Sequence, residues 1–183
     1  MPKPKKGVAG SGMHMNFSVY KDGRNIFNSD SKETRDEANW FMGGLMTHAK
    51  GMCAITNPLV NSYKRINTGF DAPKEISWTQ KNENALLRLH TRLGEDTKVE
   101  IRFPDSAANP YLAIAVCIAA GMDGIENHIS AGKTYPELKE EGMKLERLPE
   151  TLREAINEIK QDALMEENLG KEFLSVYVDA KRA

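Results

Sequence analysis

Residues 109 to 129 leave the chain little choice of structure. Asn109-Pro110 is a helix-start pair. Asparagine can accept the unbonded N–H groups of the first turn, and proline at the first helical position brings the right φ and no N–H to satisfy. Leu112 to Met122 follows with apolar residues on nearly every side. A helix of that kind has to be buried over most of its surface. A helix over 109–129 therefore predicts a core large enough to surround it. In 183 residues that means one domain with a real core, with room for a small helical appendage. The longest apolar run, Leu112 to Ala120, is far shorter than the roughly 20 residues a membrane span needs.

Strands supply the other half of the pattern. Val99-Glu100-Ile101-Arg102-Phe103 alternates, with Val99, Ile101 and Phe103 toward a core. Glu100 and Arg102 share the opposite face, roughly 6.6 Å apart along it, and Pro104-Asp105 ends the strand. Gly10-Ser11-Gly12 leads into a second alternating segment. Here His14, Asn16 and Ser18 line one face, and Met13, Met15, Phe17 and Val19 line the other. The glycine turn beside this polar face is suited to close approach by a ligand. Ala85 to His90 is a third strand, with Leu87 and Leu89 on one face and Leu86, Arg88 and His90 on the other. Ile76 to Thr79 is a fourth, and Lys21-Asp22-Gly23-Arg24 turns the chain toward a short return strand at Asn25-Ile26-Phe27.

Helical spacing of Ala38, Phe41, Met42, Leu45, Ala49, Met52 and Cys53 predicts a helix over 35–55. Thr34 and Glu37 are spaced as its capping box, and Asn57-Pro58 ends it. Gly43, Gly44 and Gly51 each cost up to about 1 kcal/mol inside a helix, so another element is expected to approach the backbone there. Residues 131 to 148 read as irregular. An amphipathic helix begins after Pro149 and stops at Gly170, and a last helical stripe starts at Phe173. The fold class is α+β: a curved, mostly antiparallel sheet with its polar residues on the concave face. Helices 35–55 and 109–129 cover the convex face, and the C-terminal helices pack at an edge.

The net charge of −1 argues against a nucleic-acid partner held by overall charge. Cys53 and Cys117 both lie in apolar helical patterns, as buried free thiols do, and offer neither a disulfide framework nor a paired metal motif. A reducing, cytoplasmic setting is expected. Phosphate-loop, zinc-protease and serine-hydrolase motifs are absent. What the chain carries is a set of polar residues on strand faces and loops: His14, Asn16, Ser18, Arg65, Asp71, Arg88, Glu100 and Arg102. Imidazole and carboxylate on a strand face can hold a divalent cation, and arginines can hold carboxylate or phosphate oxygens in forked hydrogen bonds.

In order and spacing, GSGMH, NSYKR followed by GFDAP, and EIRFPDSAANPYLA resemble the C-terminal catalytic region of bacterial type I glutamine synthetases, over nearly the whole chain. The resemblance implies ATP-dependent amidation of glutamate by ammonia through γ-glutamyl phosphate, with Mg²⁺ or Mn²⁺. It implies His14 and Glu100 as metal ligands, and Gly10, Arg65 and Arg102 as glutamate contacts. Arg88 would face the transferring phosphate and the nucleotide. Asn16, Ser18 and Lys98 would line the nucleotide side. Asp71 stands where the family has a flap glutamate that shields the intermediate and helps deprotonate ammonium. It further implies a ring-shaped homo-oligomer, a double-ring dodecamer, with glutamate, ammonia and ATP as partners and neither membrane nor nucleic acid.

The chain departs from the family's usual forms at four places. Ala9 stands for an asparagine, Asn16 for a histidine, Asp71 for a glutamate and Glu83 for an arginine. Those changes leave room for a γ-glutamyl-amine ligase, or for a non-catalytic structural or regulatory member. On the resemblance, residues 1–183 are expected to be a partial catalytic domain. The N-terminal β-grasp domain and the first part of the catalytic domain would lie outside it, the C-terminal pattern would be cut short, and the piece would be inactive alone.

Overall fold

A computed structural model describes residues 1–28, 35–68, 72–81, 84–91 and 96–182. The strands are β1 (Met15–Phe17), β2 (Tyr20–Lys21), β3 (Arg24–Asn25), β4 (Trp78–Thr79), β5 (Leu87–His90) and β6 (Lys98–Ile101). The helices are α1 (Asp36–Thr47), α2 (Ala49–Thr56), α3 (Val60–Asn67), α4 (Pro110–Glu126), α5 (Tyr135–Glu140), α6 (Leu152–Gln161), α7 (Ala163–Leu169) and α8 (Lys171–Arg182). The α+β class holds. One sheet runs β1-β6-β5-β4. It is antiparallel at β1–β6 and β6–β5 and parallel at β5–β4. The hairpin β2–β3 stands apart. Its turn places Asp22 at φ 51° and Gly23 at φ 76°, the left-handed pair that a two-residue hairpin of this twist requires.

Phe41 of α1 joins sheet to helices, with ring centroids 6.1 Å from Phe17 of β1 and 5.2 Å from Phe27. Its neighbour α4 crosses α1 at glycines. A Cβ on Gly44 would lie 2.0 Å from the Ala120 carbonyl oxygen, and one on Gly124 would lie 2.1 Å from that of Trp40. A Cβ on Gly43 would meet the Ile129 oxygen at 1.9 Å. Gly43 and Gly44 are therefore there because backbone meets backbone, whereas Gly51, also expected to be costly, makes room for the Asp162 side chain.

Several expectations need correction. Residues 35–55 form two helices, because the chain breaks at His48, with φ −94° and ψ 3°. The His48 ring is held by carboxylates from two other elements, and a straight helix would carry it elsewhere. Arg35 caps α1 without a side-chain hydrogen bond; Thr34, expected to cap it, lies outside the described residues. Helix α4 does start at Asn109, whose Oδ1 accepts from the Tyr111 and Leu112 N–H groups. It ends at Glu126, short of residue 129.

Helix α4 is not buried all round. Tyr111, Ile114 and Ile118 are 84%, 43% and 47% exposed. The buried side is built of small residues, Ala113, Val116, Cys117, Ala120, Gly121 and Gly124, and apolar composition alone does not say which side is covered. The helix after Pro149 breaks at Asp162, which caps α7 by accepting from the Leu164 N–H at 3.1 Å. Within 131–148, α5 forms behind Thr134, whose N–H donates to Glu137 Oε2 at 2.7 Å. The C-terminal helices pack on the helical layer, α6 against α2 and α7 against α4, not at a sheet edge.

Candidate active site

Antiparallel pairing sets Glu100 at the centre of a lattice of side chains. Its Cα partner on β1 is Asn16 and its partner on β5 is Arg88. His90 is opposite Lys98. Two residue pairs along from Asn16–Glu100, the same register sets His14 beside Arg102, whose N–H donates to the Leu86 carbonyl at 3.1 Å. Side chains two apart on a strand share a face. His14, Asn16, Arg88, His90, Lys98, Glu100 and Arg102 therefore occupy one side of the sheet. Burial alternates along residues 13–19, with His14, Asn16 and Ser18 exposed and Met13, Met15, Phe17 and Val19 half-buried.

Two imidazoles at opposite corners reach the Glu100 carboxylate. His14 Nδ1 lies 2.7 Å from Oε1. His90 Nε2 lies 2.8 Å from Oε2, and Arg88 Nη1 lies 3.4 Å from that same oxygen. The glutamate is buried, which by itself would raise its pKa. The hydrogen bond from His90 and the charges of His14 and Arg88 outweigh burial and hold it below the usual carboxylate range. It is a carboxylate kept ionised and acceptor-only.

Arg65 comes from α3, a helix whose buried face is Ser62, Tyr63, Arg65 and Ile66. Its Nη1 donates to the carbonyl oxygens of Phe103 at 2.9 Å and Pro104 at 3.3 Å, and its Nη2 donates to that of Arg102 at 3.4 Å. Burial pushes its pKa down, Asp105 acting in the opposite sense. The turn at Gly10 and Gly12 fits around this guanidinium. A Cβ on Gly12 would lie 2.5 Å from Arg65 Nη2, and one on Gly10 would lie 2.4 Å from the Pro2 oxygen and 3.0 Å from Arg65 Cγ. Among the described residues the close approach at this turn is thus made by the protein's own arginine.

The structure joins His14, Arg88 and Glu100 directly and sets Asn16 beside them. Arg102 is buried, at the end of β6 that Arg65 holds. Ser18 and Lys98 lie at the other end of the lattice, where Ser18 Oγ donates to the Thr97 carbonyl at 3.0 Å. Asp71 and Glu83 lie outside the described residues. His90 was placed on the face of Arg88 by its alternation but not counted among the site residues. The signal was available: on a strand paired antiparallel to β6, a residue two from Arg88 falls diagonal to Glu100.

Among the described residues, no group of three or more His, Cys, Asp or Glu is arranged as a cation's ligand set. His14 and Glu100 nevertheless fit two places of one. Adjacent ligands on a cation with bonds of 2.0–2.1 Å sit about 3 Å apart, close to the 2.7 Å between Nδ1 and Oε1. Arg88 and His90 on Oε2 leave Oε1 as the oxygen to share.

A cleft of about 1030 Å³ opens elsewhere, on His48, Asp123 and Asp162. There His48 Nδ1 lies 2.9 Å from Asp162 Oδ2, and Nε2 lies 3.1 Å from Asp123 Oδ2. Burial pushes the His48 pKa down, but the two carboxylates together raise it above the ordinary value. Lys50 and Glu146 on its wall pair with each other at 2.7 Å. The His48 cluster is spent on joining helices and Lys50 is spent on Glu146, so volume is a poorer guide here than the unsymmetrical face around Glu100.

Comparison with known proteins identifies the family. The family model described as glutamine synthetase, catalytic domain, matches residues 1–183. A glutamine synthetase of Methanosarcina mazei is 42% identical over 99% of this chain and 42% of its own length. That of Thermus thermophilus is 42% identical over 100% of this chain and 43% of its own. A solved structure, described as apo GmaS without ligand, matches with a TM-score of 0.86 and 34% identity over 100% of this chain and 42% of its own. The chain spans about two fifths of the length of these relatives. It belongs to the glutamine synthetase catalytic-domain family.

Proposed function

We propose that this chain forms part of the catalytic centre of an ATP-dependent ligase that joins ammonia to the γ-carboxylate of glutamate. The carrying observation is Glu100, with an imidazole on one oxygen and a guanidinium near the other, on one face of the sheet. His14 Nδ1 and Glu100 Oε1 would hold Mg²⁺ or Mn²⁺, which when bound neutralises phosphate oxygens during transfer.

The chain's own residues orient the rest. Arg88 faces the transferring phosphoryl group and offsets its charge. Arg102 and the Gly10 backbone, with Arg65 behind them, hold glutamate. Asn16, Ser18 and Lys98 face the nucleotide. Glutamate's γ-carboxylate displaces ADP from the γ-phosphorus of ATP, giving the acyl phosphate. Ammonia then displaces phosphate at the acyl carbon. Asp71 accepts the proton that ammonium must lose and shields the acyl phosphate from water. A homo-oligomer, a double ring of twelve, belongs to the same proposal, and the exposed Tyr111, Ile114 and Ile118 are apolar surface that an assembly would use. Cys53 and Cys117, both buried free thiols, suit a cytoplasmic setting.

Phosphate release by the full-length protein tests the reaction. With glutamate, ATP and Mn²⁺, release is expected on adding ammonium. Release with an amine alone would replace ammonia by an amine, and no release with any acceptor would sink the enzymatic reading.

A further inference from the structure

His90 has no part in the roles above, yet it makes a 2.8 Å contact with the central carboxylate. We propose that His90 is a positioning residue: its Nε2–H fixes Glu100 Oε2, so that Oε1 is presented beside His14 Nδ1. The inference rests on the reading in which Glu100 is a cation ligand.

The need for such an anchor follows from the side chain. The last torsion of a glutamate is broad and roughly two-fold, so a carboxylate held at one oxygen swings and exchanges its oxygens. Arg88 Nη1 is at 3.4 Å from Oε2, too long to fix it alone. His90 is at hydrogen-bond distance of that oxygen and comes from the opposite corner of the lattice to His14. The carboxylate is thereby pinned from both sides, and Oε2 is occupied. A cation taken between His14 and Glu100 receives one oxygen from the glutamate, not two. The contact is part-buried, with the His90 side chain 30% and the Glu100 side chain 10% exposed, so removing His90 costs stability as well, and what separates positioning from structure is the change in metal affinity and its rescue by a conservative variant. Partners that orient a ligand in this way typically change metal affinity 10- to 100-fold.

The test is Mn²⁺ binding by the full-length protein, followed by the electron paramagnetic resonance signal of free Mn²⁺. The site in question is the one that Glu100→Ala weakens most. His90→Ala should weaken that site by roughly 10- to 100-fold under conditions where the metal-free melting temperature shows the variant still folded. His90→Gln, which sets an amide N–H near the place of Nε2, should restore it. Added to Glu100→Ala, His90→Ala should cost nothing more. Unchanged Mn²⁺ affinity in His90→Ala would overturn the proposal, as would failure of His90→Gln to restore it. A further loss in the double variant would make His90 a ligand in its own right and overturn it too. If Glu100→Ala itself binds Mn²⁺ like the unaltered protein, the cation reading of the site fails, a result separate from any of these.

Discussion

Two histidine–carboxylate clusters in this molecule are built as opposites. On the sheet, one carboxylate, Glu100, sits between two imidazoles, His14 and His90. In the helical layer, one imidazole, His48, sits between two carboxylates, Asp123 and Asp162. Burial opposes the charge in both, and neighbours of opposite charge overcome it: Glu100 is held below its ordinary pKa and His48 above it.

The difference lies in what each cluster joins. His48 sits at the break between α1 and α2, and Asp162 sits at the break between α6 and α7. Asp162 also lies against Gly51, where a Cβ would be 2.6 Å from Oδ2. With both ring nitrogens facing carboxylate oxygens, only the imidazolium can donate to both. That cluster is a tie between helices with its valences used up. Around Glu100 the arrangement is lopsided, with one oxygen facing two donors and the other facing a single half-exposed imidazole. Such asymmetry lets an incoming cation replace one bond without dismantling the others.

The comparison can be broken most forcefully at Glu100. Glu100→Gln in the full-length protein should lower ligase activity on the order of 100- to 1000-fold, measured as phosphate release at saturating glutamate and ATP. Activity within a few-fold of the unaltered protein would remove the sheet cluster from the chemistry.

A change in the helical layer should do the reverse, costing stability before chemistry. Gly44→Ala drives a Cβ to within 2.0 Å of the Ala120 oxygen, and overpacking a helix crossing in this way costs about 3 kcal/mol. Denaturant unfolding would measure it. A loss under half a kcal/mol would mean that α1 and α4 separate easily, contrary to the crossing described.

The His48 tie carries its own pH signature. With the folded-state pKa raised, its stabilisation is fully present below the unfolded value of about 6.5. It is lost as pH climbs through the folded-state value. Unfolding free energy should therefore decline over that window. His48→Gln, which cannot titrate, should flatten the decline and cost about 1–3 kcal/mol at low pH. An identical decline in His48→Gln would show that another group causes it. The smallest expected effect is Asn109→Ala, about 1 kcal/mol, because only the cap of α4 is lost; calorimetric melting would resolve it.

Much of this was legible in the sequence because it depends on local periodicity. Alternation over Met13–Val19 and Val99–Phe103 put His14, Glu100 and Arg102 on the right face, and Asn109 capped the helix it was expected to cap. The glycines of α1 announced a close neighbour without naming α4. What was hidden depends on contacts between distant residues. The breaks at His48 and Asp162 exist because those two side chains meet, and no window of sequence contains both. The exposed face of α4 and the role of Arg65 as a clamp on residues 102–104 are likewise decided by tertiary packing. His90 fell between these cases: its face was readable, but its reach to Glu100 needs the pairing register.

The most direct test of the account is to compare the two clusters by one probe. Mn²⁺ bound by the full-length protein should be lost from one site in Glu100→Gln and fully retained in His48→Gln. Loss in His48→Gln with retention in Glu100→Gln would contradict the account and move the cation site to the helical cleft.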